Sequence, residues 1–342
     1  MAPTSTEGTP EVGPEVGPEV GPEVGPETGA DWDILGPPYV ARTLQLRPDA
    51  EGEVVATLVH RPADGPSTGK AVLHVHGFAD YFFQTGSADF WCGRGYDFYA
   101  LDLRKYGRSI RQHQTPNFTS SLSEYHEELD QAYEAISANY DHIVLSAHST
   151  GGLTVPIWAS DRRLKIAGMV LNSPWLAMQG DLIARRLALP VIGQIGSRRP
   201  QLEIPRKVSG IYGRSIHRDH EGEWDFNLAW KPLQSWPVYA GWVRAIRDGH
   251  ARIAAGLEVR APVLVLTSTK TGRPTSMSDP AVFSTDIVLD VEQIRHRAPL
   301  IGRHVTLAQI DGAMHDVTLS QTPVRKMVFD EVAVFLSAYV GG

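Results

Sequence analysis

The chain has 342 residues, 42% of them hydrophobic, enough for one large catalytic domain with an insertion or for two ordinary domains. No run reaches the roughly 18–20 apolar residues of a membrane span, and Met1 to Glu7 hold neither a basic nor an apolar stretch, so no signal peptide is expected. The net charge of −7 sits in the first 33 residues, which hold eight acids and no Lys or Arg, while the remaining 31 acids are matched by 32 bases. A near-neutral body does not read as a nucleic-acid surface. The single cysteine, Cys92, cannot form an internal disulfide and fits a reducing, cytoplasmic setting. Its place in Ala88-Asp89-Phe90-Trp91-Cys92 favours helix packing over nucleophilic chemistry.

Glu-Val-Gly-Pro occurs four times in succession from Glu11 to Pro26. Proline at every fourth position blocks helix and sheet, and nothing there can form a core. Residues 1–35 are therefore expected to be a disordered acidic tail with a solubility or spacer role. From residue 36 to 342 the pattern becomes that of one α/β domain. Arg42–Arg47 and Glu53–Arg61 read as antiparallel strands, and Lys70–Val75 as a buried strand followed by a helix over Gly86–Gly93. Tyr96–Leu103 is the next buried strand. Leu122–Ser137 is an amphipathic helix capped by Ser120 or Ser121, with Glu124 placed for a capping box. A strand ending near Ser146 leads into a helix from Gly151 to Ser160. Lys165–Leu171, Pro262–Thr267 and His304–Ile310 are further strands, with Val291–Arg297 helical before the last and a helix over Thr322–Tyr339 after it. Strands alternating with helices imply a mostly parallel sheet covered on both faces.

The rhythm fails between Ser173 and Val259, a stretch holding five of the eight tryptophans: Trp175, Trp224, Trp230, Trp236 and Trp242. An aromatic-rich insertion over about 176–256 reads as a lid above the C-terminal strand ends, where open α/β sheets bind ligands. Arg185–Arg218 carries eight bases and one acid, Glu203, around the apolar Leu187–Ile192. The plainer reading is a solvated surface with side-chain stems packed on apolar groups. The sharper one is a mouth that draws anionic head groups, with transient lid contact to a membrane or lipid surface.

Residues 142–152 run His-Ile-Val-Leu-Ser-Ala-His-Ser-Thr-Gly-Gly, a buried strand stopping abruptly at Ala147-His148-Ser149-Thr150-Gly151. This is the pattern of a nucleophile elbow with Ser149 at its apex, small residues standing two before and two after it. A hydroxyl lifted out of a sheet in this way needs a base and oxyanion donors. Chain order places an acid and then a histidine after the serine, on loops following later strands. Of His296, His304 and His315, only His315 lies in a glycine-containing loop, Asp311-Gly312-Ala313-Met314-His315-Asp316, and it is the expected general base. The acid belongs to the loop after Pro262–Thr267, where Asp286 is preferred. Asp290 stands as the alternative, although it is better placed to cap the helix at Val291. Phe78, after His76-Gly77, and Thr150, after the nucleophile, are the expected amide donors of an oxyanion hole. His74 and His76 have a spacing of two but no third ligand nearby, and His217 to Glu223 reads as a solvated turn. No metal and no cofactor are expected.

Together, His76-Gly77-Phe78, Tyr99–Arg104 with Gly107-Arg108-Ser109, His148–Gly152, Asp286-x-Val288 and Gly312–Asp316 resemble the α/β-hydrolase superfamily. Within it they look like the monoacylglycerol lipase and lysophospholipase-like branch, which shares a domain with serine aminopeptidases. The resemblance spans roughly residues 40–340. It implies an eight-stranded α/β-hydrolase sheet with a lid, a Ser149–Asp286–His315 triad and cofactor-free hydrolysis of a small apolar carboxylic ester. Asp102 becomes a structural loop residue. Ala147 stands where glycine is usual, and Lys105-Tyr106 where Gly-His is common. A peptidase or amidase on the same triad, and a non-catalytic ligand-binding protein, are the competing readings. No acid cluster in the lid is marked to grip an amine, and a receptor has no need of all three residues.

Overall fold

A computed structural model describes residues 31–179 and 194–341. The Glu-Val-Gly-Pro repeats, Arg185, Arg186 and Leu187–Ile192 lie outside the described residues.

One sheet runs through the molecule in the order β1-β2-β3-β5-β4-β6-β7-β8-β9. Its strands are β1 (Asp31–Trp32), β2 (Val40–Gln45), β3 (Val55–Arg61), β4 (Lys70–Val75), β5 (Tyr96–Asp102), β6 (His142–His148), β7 (Gly168–Asn172), β8 (Val263–Ser268) and β9 (Val305–Ile310). Pairings from β1 through β3 to β5 are antiparallel, and every pairing from β5 to β9 is parallel. The central strands are mostly apolar on both faces because both faces are covered. Ala71, Leu73 and Val75 of β4 point into one core, with Ile143, Leu145 and Ala147 of β6 and Val263 and Val265 of β8. Val72, Val144, Leu264 and Leu266, one residue out of step, point into the other. The two-residue alternation of side chains assigns each residue to its layer.

Helices α2 (His126–Ser137), α3 (Gly151–Arg162), α5 (Ala240–Ala255) and α6 (Val291–Arg297) cover the first face. Helices α1 (Thr85–Cys92) and α7 (Thr322–Phe335) cover the second. A single 3-10 turn, Leu122–Tyr125, opens α2; Ser121 Oγ accepts from the Ser123 amide, and Glu124 accepts from the Ser120 amide and hydroxyl. Cys92 is buried on α1, and burial pushes its thiol up to about 11, which suits packing rather than chemistry.

Two boundaries differ from the sequence reading. Residues 31–35, placed with the tail by the sequence, carry structure: β1 pairs with Val40 and Ala41, and buried Asp33 takes both Nε and Nη2 of Arg108 (2.6 and 2.7 Å). An acid at the end of an acidic run becomes fixed by a buried guanidinium 75 residues away, which also serves Asp102. β1 is thus a ninth strand beside the eight expected. The second difference concerns α5, expected in the lid. Its stripe of Trp242, Ile246, Gly249 and Ile253 packs into the main core, with Gly249 set close against Leu122 and Leu153. That spacing of four, three and four is a helix face made for burial.

The described part of the 204–239 segment lies over the strand ends. Helix α4 (Ile211–Ile216), Phe226, Trp224 and Trp230 pack against Tyr81, Phe83, Met314 and Leu319 as a third, smaller core.

Candidate active site

Strand β6 ends at His148, and Ser149 adopts φ +52° before α3 begins at Gly151. A left-handed serine is strained by about 1–3 kcal/mol, and the surroundings hold it there. Its amide donates to Asn172 O (3.1 Å), and its carbonyl accepts from the Trp175 amide (2.9 Å). The two small residues after Thr150 are demanded by contact. A Cβ at Gly151 would collide with the His76 carbonyl oxygen, and one at Gly152 would lie 2.6 Å from Pro174 Cβ.

The structure brings three of the expected residues into one line. His315 Nε2 lies 3.1 Å from Ser149 Oγ, and His315 Nδ1 lies 3.0 Å from Asp286 Oδ2. All three are buried, Ser149 being 8% exposed, so its hydroxyl meets solvent only through the cavity. Asp286 Oδ1 accepts from the amides of Val288 (2.8 Å) and Leu289 (2.7 Å), which leaves Oδ2 directed at the imidazole. The backbone of Asp286 is pinned as well, by Asp286 N to Lys270 O and Gly272 N to Asp286 O, both 2.9 Å. Asp290 is elsewhere: its carboxylate accepts from the Glu292 amide and caps α6. His296 lies on α6, and His304 packs on the Tyr339 ring, both apart from this line.

Phe78 and Thr150 flank the serine. Among the described residues neither amide has a protein acceptor. The Phe78 loop is fixed on every side. His76 Nε2 accepts from the Leu103 amide (3.1 Å), so its Nδ1–H donates to Gly77 O (2.8 Å). Asn117 takes the Ala79 amide, Asp102 takes that of Phe82, and Asp80 lies 3.5 Å from that of Gly77. Gly77 is required because a Cβ there would stand 3.0 Å from Ser149 Cβ. His74 hydrogen-bonds Ser146 Oγ, and burial pulls its pKa down to about 4. His217 accepts from the Asp219 amide and donates to Phe226 O. Hydrogen bonds thus engage His74 Nδ1 and both ring nitrogens of His76 and His217. Among the described residues no three His, Cys, Asp or Glu side chains gather to hold a metal ion.

Three features had no sequence signal strong enough to find them. Asn172, at the end of β7, joins nucleophile to base. Its carbonyl takes the Ser149 amide and His148 Nδ1, while its side chain bonds Asp316 Oδ1 (2.6 Å) and the Val317 amide (3.1 Å). Tyr212 of α4 sets its ring edge-on to His315 with centroids 5.5 Å apart.

The third is a buried ion pair, Lys231 Nζ to Asp80 Oδ1 at 2.9 Å, between the covering segment and the Phe78 loop. Burial alone would raise the Asp80 carboxyl; Lys231, helped by His148 and His76, outweighs it and holds it at about 2. Lys231→Met is expected to destabilise the protein by about 3–5 kcal/mol, read from its denaturant midpoint, because Asp80 is left charged and unpaired. Adding Asp80→Asn should recover part of that loss. A single variant as stable as the parent would contradict the pairing.

Above the serine lies a cavity of 730 Å³. Trp175, Met178, Ile211, Val238, Trp242 and Val288 contribute apolar wall, and Trp242 stacks on Phe78 with centroids 4.4 Å apart. Trp224, Trp230 and Trp236 serve the cover instead, their contacts being Leu319 O, Tyr81 and Trp230 O. Among the described residues no helix is long and apolar enough to cross a membrane.

Comparison with known proteins agrees with this architecture. The structure resembles the monoacylglycerol lipase of Paleococcus ferrophilus (21% identity, TM-score 0.61, covering 82% of this chain and 98% of that one). It also resembles a soluble variant of the monoglyceride lipase of Saccharomyces cerevisiae (13%, TM-score 0.63, 86% and 94%). The third is Est1E of Butyrivibrio proteoclasticus with ferulic acid bound (13%, TM-score 0.56, 87% and 100%). At these identities the likeness is one of fold. No curated protein sequence matches the chain. The family model described as serine aminopeptidase, S33, matches residues 66–279, which include Phe78, Ser149 and Thr150 and stop short of Asp286 and His315. That match spans more than half of the sequence, and the chain belongs to this family of α/β-hydrolases.

Proposed function

We propose that the protein hydrolyses carboxylic esters through an acyl-serine intermediate, with Ser149 as nucleophile, His315 as base and Asp286 as acid. The observation that carries this reading is the continuous line from Ser149 Oγ through the imidazole to Asp286 Oδ2, with contacts of 3.1 and 3.0 Å. His315 Nε2 takes the serine proton as Oγ bonds to the carbonyl carbon. The oxygen that gains charge faces the Phe78 and Thr150 amides, the latter at the positive end of α3. The imidazolium, held by Asp286, then gives its proton to the departing alcohol. Water repeats the sequence to free the acid.

An apolar wall around the serine favours a lipid-like acyl ester such as a monoacylglycerol or lysophospholipid, and the lipase relatives of similar fold agree with it. An aminopeptidase must bind an ammonium group. Among the described residues the one acid lining the cavity, Asp80, is already paired with Lys231, which disfavours that chemistry. The covering segment would act as the lid of the site.

The test is p-nitrophenyl esters of graded acyl length, with a fluorophosphonate probe as covalent control. Medium or long chains should give the highest kcat/KM, and the probe should add to the peptide containing Ser149. An optimum at acetate removes the lipid-like assignment and leaves the hydrolase. Neither turnover nor label removes both.

A further inference from the structure

Among the described residues four cationic side chains line the cavity: Arg206, Lys207, Lys231 and Arg273. Lys231 is neutralised by Asp80. Among the described residues the other three have no carboxylate partner, and no second acid lines the cavity to offset them.

Arg206 is a held group, not a loose one. Its Nη2 donates to Ser235 Oγ (3.0 Å) and Trp236 O (2.6 Å), and its guanidinium carbon lies 5.7 Å from the centre of the Phe78 ring. Its Nε and Nη1 have no protein acceptor among the described residues. The charge therefore stands one ring away from the amide assigned to the oxyanion. Arg273 also lines the cavity; it follows Gly272, whose amide bonds Asp286 O, and its Nη1 donates to the Gly272 carbonyl (2.9 Å). Lys207, next to Arg206 in sequence, lines the cavity as well. Unpaired cations beside apolar walls concentrate anions at the mouth of a cleft. A fixed guanidinium fork matches a carboxylate or phosphate, and its cost of ordering is already met by Ser235 and Trp236.

We propose that Arg206, with Arg273 and Lys207, makes the site selective for esters that carry an anionic group, a carboxylate or a phosphate, in the mouth of the cavity. The inference rests on the ester-hydrolase reading and narrows its substrate class.

Two matched pairs test it. One compares mono-p-nitrophenyl esters of dicarboxylic acids with their methyl-capped counterparts, placing the anion on the acyl side. The other compares a 1-acylglycerol 3-phosphate with the corresponding 1-monoacylglycerol, placing it on the alcohol side. The wild-type protein should prefer the anionic member of at least one pair by about ten-fold or more in kcat/KM. The pair that responds identifies the source of the charge. In Arg206→Gln/Arg273→Gln the preference should fall towards parity, with the larger loss of kcat/KM on the anionic member. Equal use of both members by the wild type overturns the inference and leaves ester hydrolysis standing. A preference that survives the double substitution overturns the assignment to these residues. If no member of either pair is cleaved, the hydrolase reading fails and takes this inference with it.

Discussion

Replacing Ser149 with alanine should lower kcat/KM towards a p-nitrophenyl ester by about a million-fold, the scale seen when a serine nucleophile is removed from a unit of this kind. The fold should survive. Ser149 is anchored by main-chain bonds to Asn172 and Trp175, which alanine keeps, and its hydroxyl contributes only the contact to His315. Stability, read by denaturant titration, should change by no more than about 1 kcal/mol. Residual rate above water from the Phe78 and Thr150 amides is compatible with this outcome. Turnover at a few per cent of the parent is not, since it would mean that another group attacks the ester.

Asp286→Asn should cost about 10⁴-fold in kcat, because the amide can present its NH₂ to His315 and turn the proton onto the wrong ring nitrogen. Geometry would be little disturbed: the side-chain oxygen could still accept from Val288 and Leu289. Asp290→Asn is the internal control. Asparagine caps a helix as well as aspartate does, so α6 should stay capped and activity should remain near the parent's. Rate–pH profiles of the two variants beside the wild type would separate them. Reversed effects would transfer the acid role to Asp290.

The sheet was legible because burial on two faces leaves uninterrupted runs such as Lys70–Val75 and His142–His148, and because each run ends in Gly, Pro or polar residues. The elbow was legible for a related reason. Gly151 and Gly152 are small because His76 O and Pro174 press on them, so the constraint is written locally. Chain order narrowed the later histidines, the glycine-containing loop singled out His315, and the acid stayed between Asp286 and Asp290. What could not be read is what depends on partners distant in the chain. Asp33 looked like the last acid of a tail until Arg108 was found against it. Asp80 and Lys231 stand 151 residues apart, and no pattern in either neighbourhood announces the pair. Asn172 ends an ordinary strand. Only Asp316, adjoining His315 in sequence, offered a hint of the network through Asn172 that fixes the base. The placement of α5 was available from its apolar spacing, but the density of tryptophans around it drew attention to the lid instead.

Along one seam the cover is fastened to the body by Lys231 on Asp80, by the Asn227 amide on Tyr81 Oη and by Trp224 Nε1 on Leu319 O. Asp80 and Tyr81 belong to the same short loop as Phe78. Lifting the cover along this seam would pull on the amide proposed to receive the alkoxide and leave the Asp80 carboxylate without its partner. On the proposed mechanism, an opening along this edge would couple the admission of substrate to the placement of an oxyanion donor.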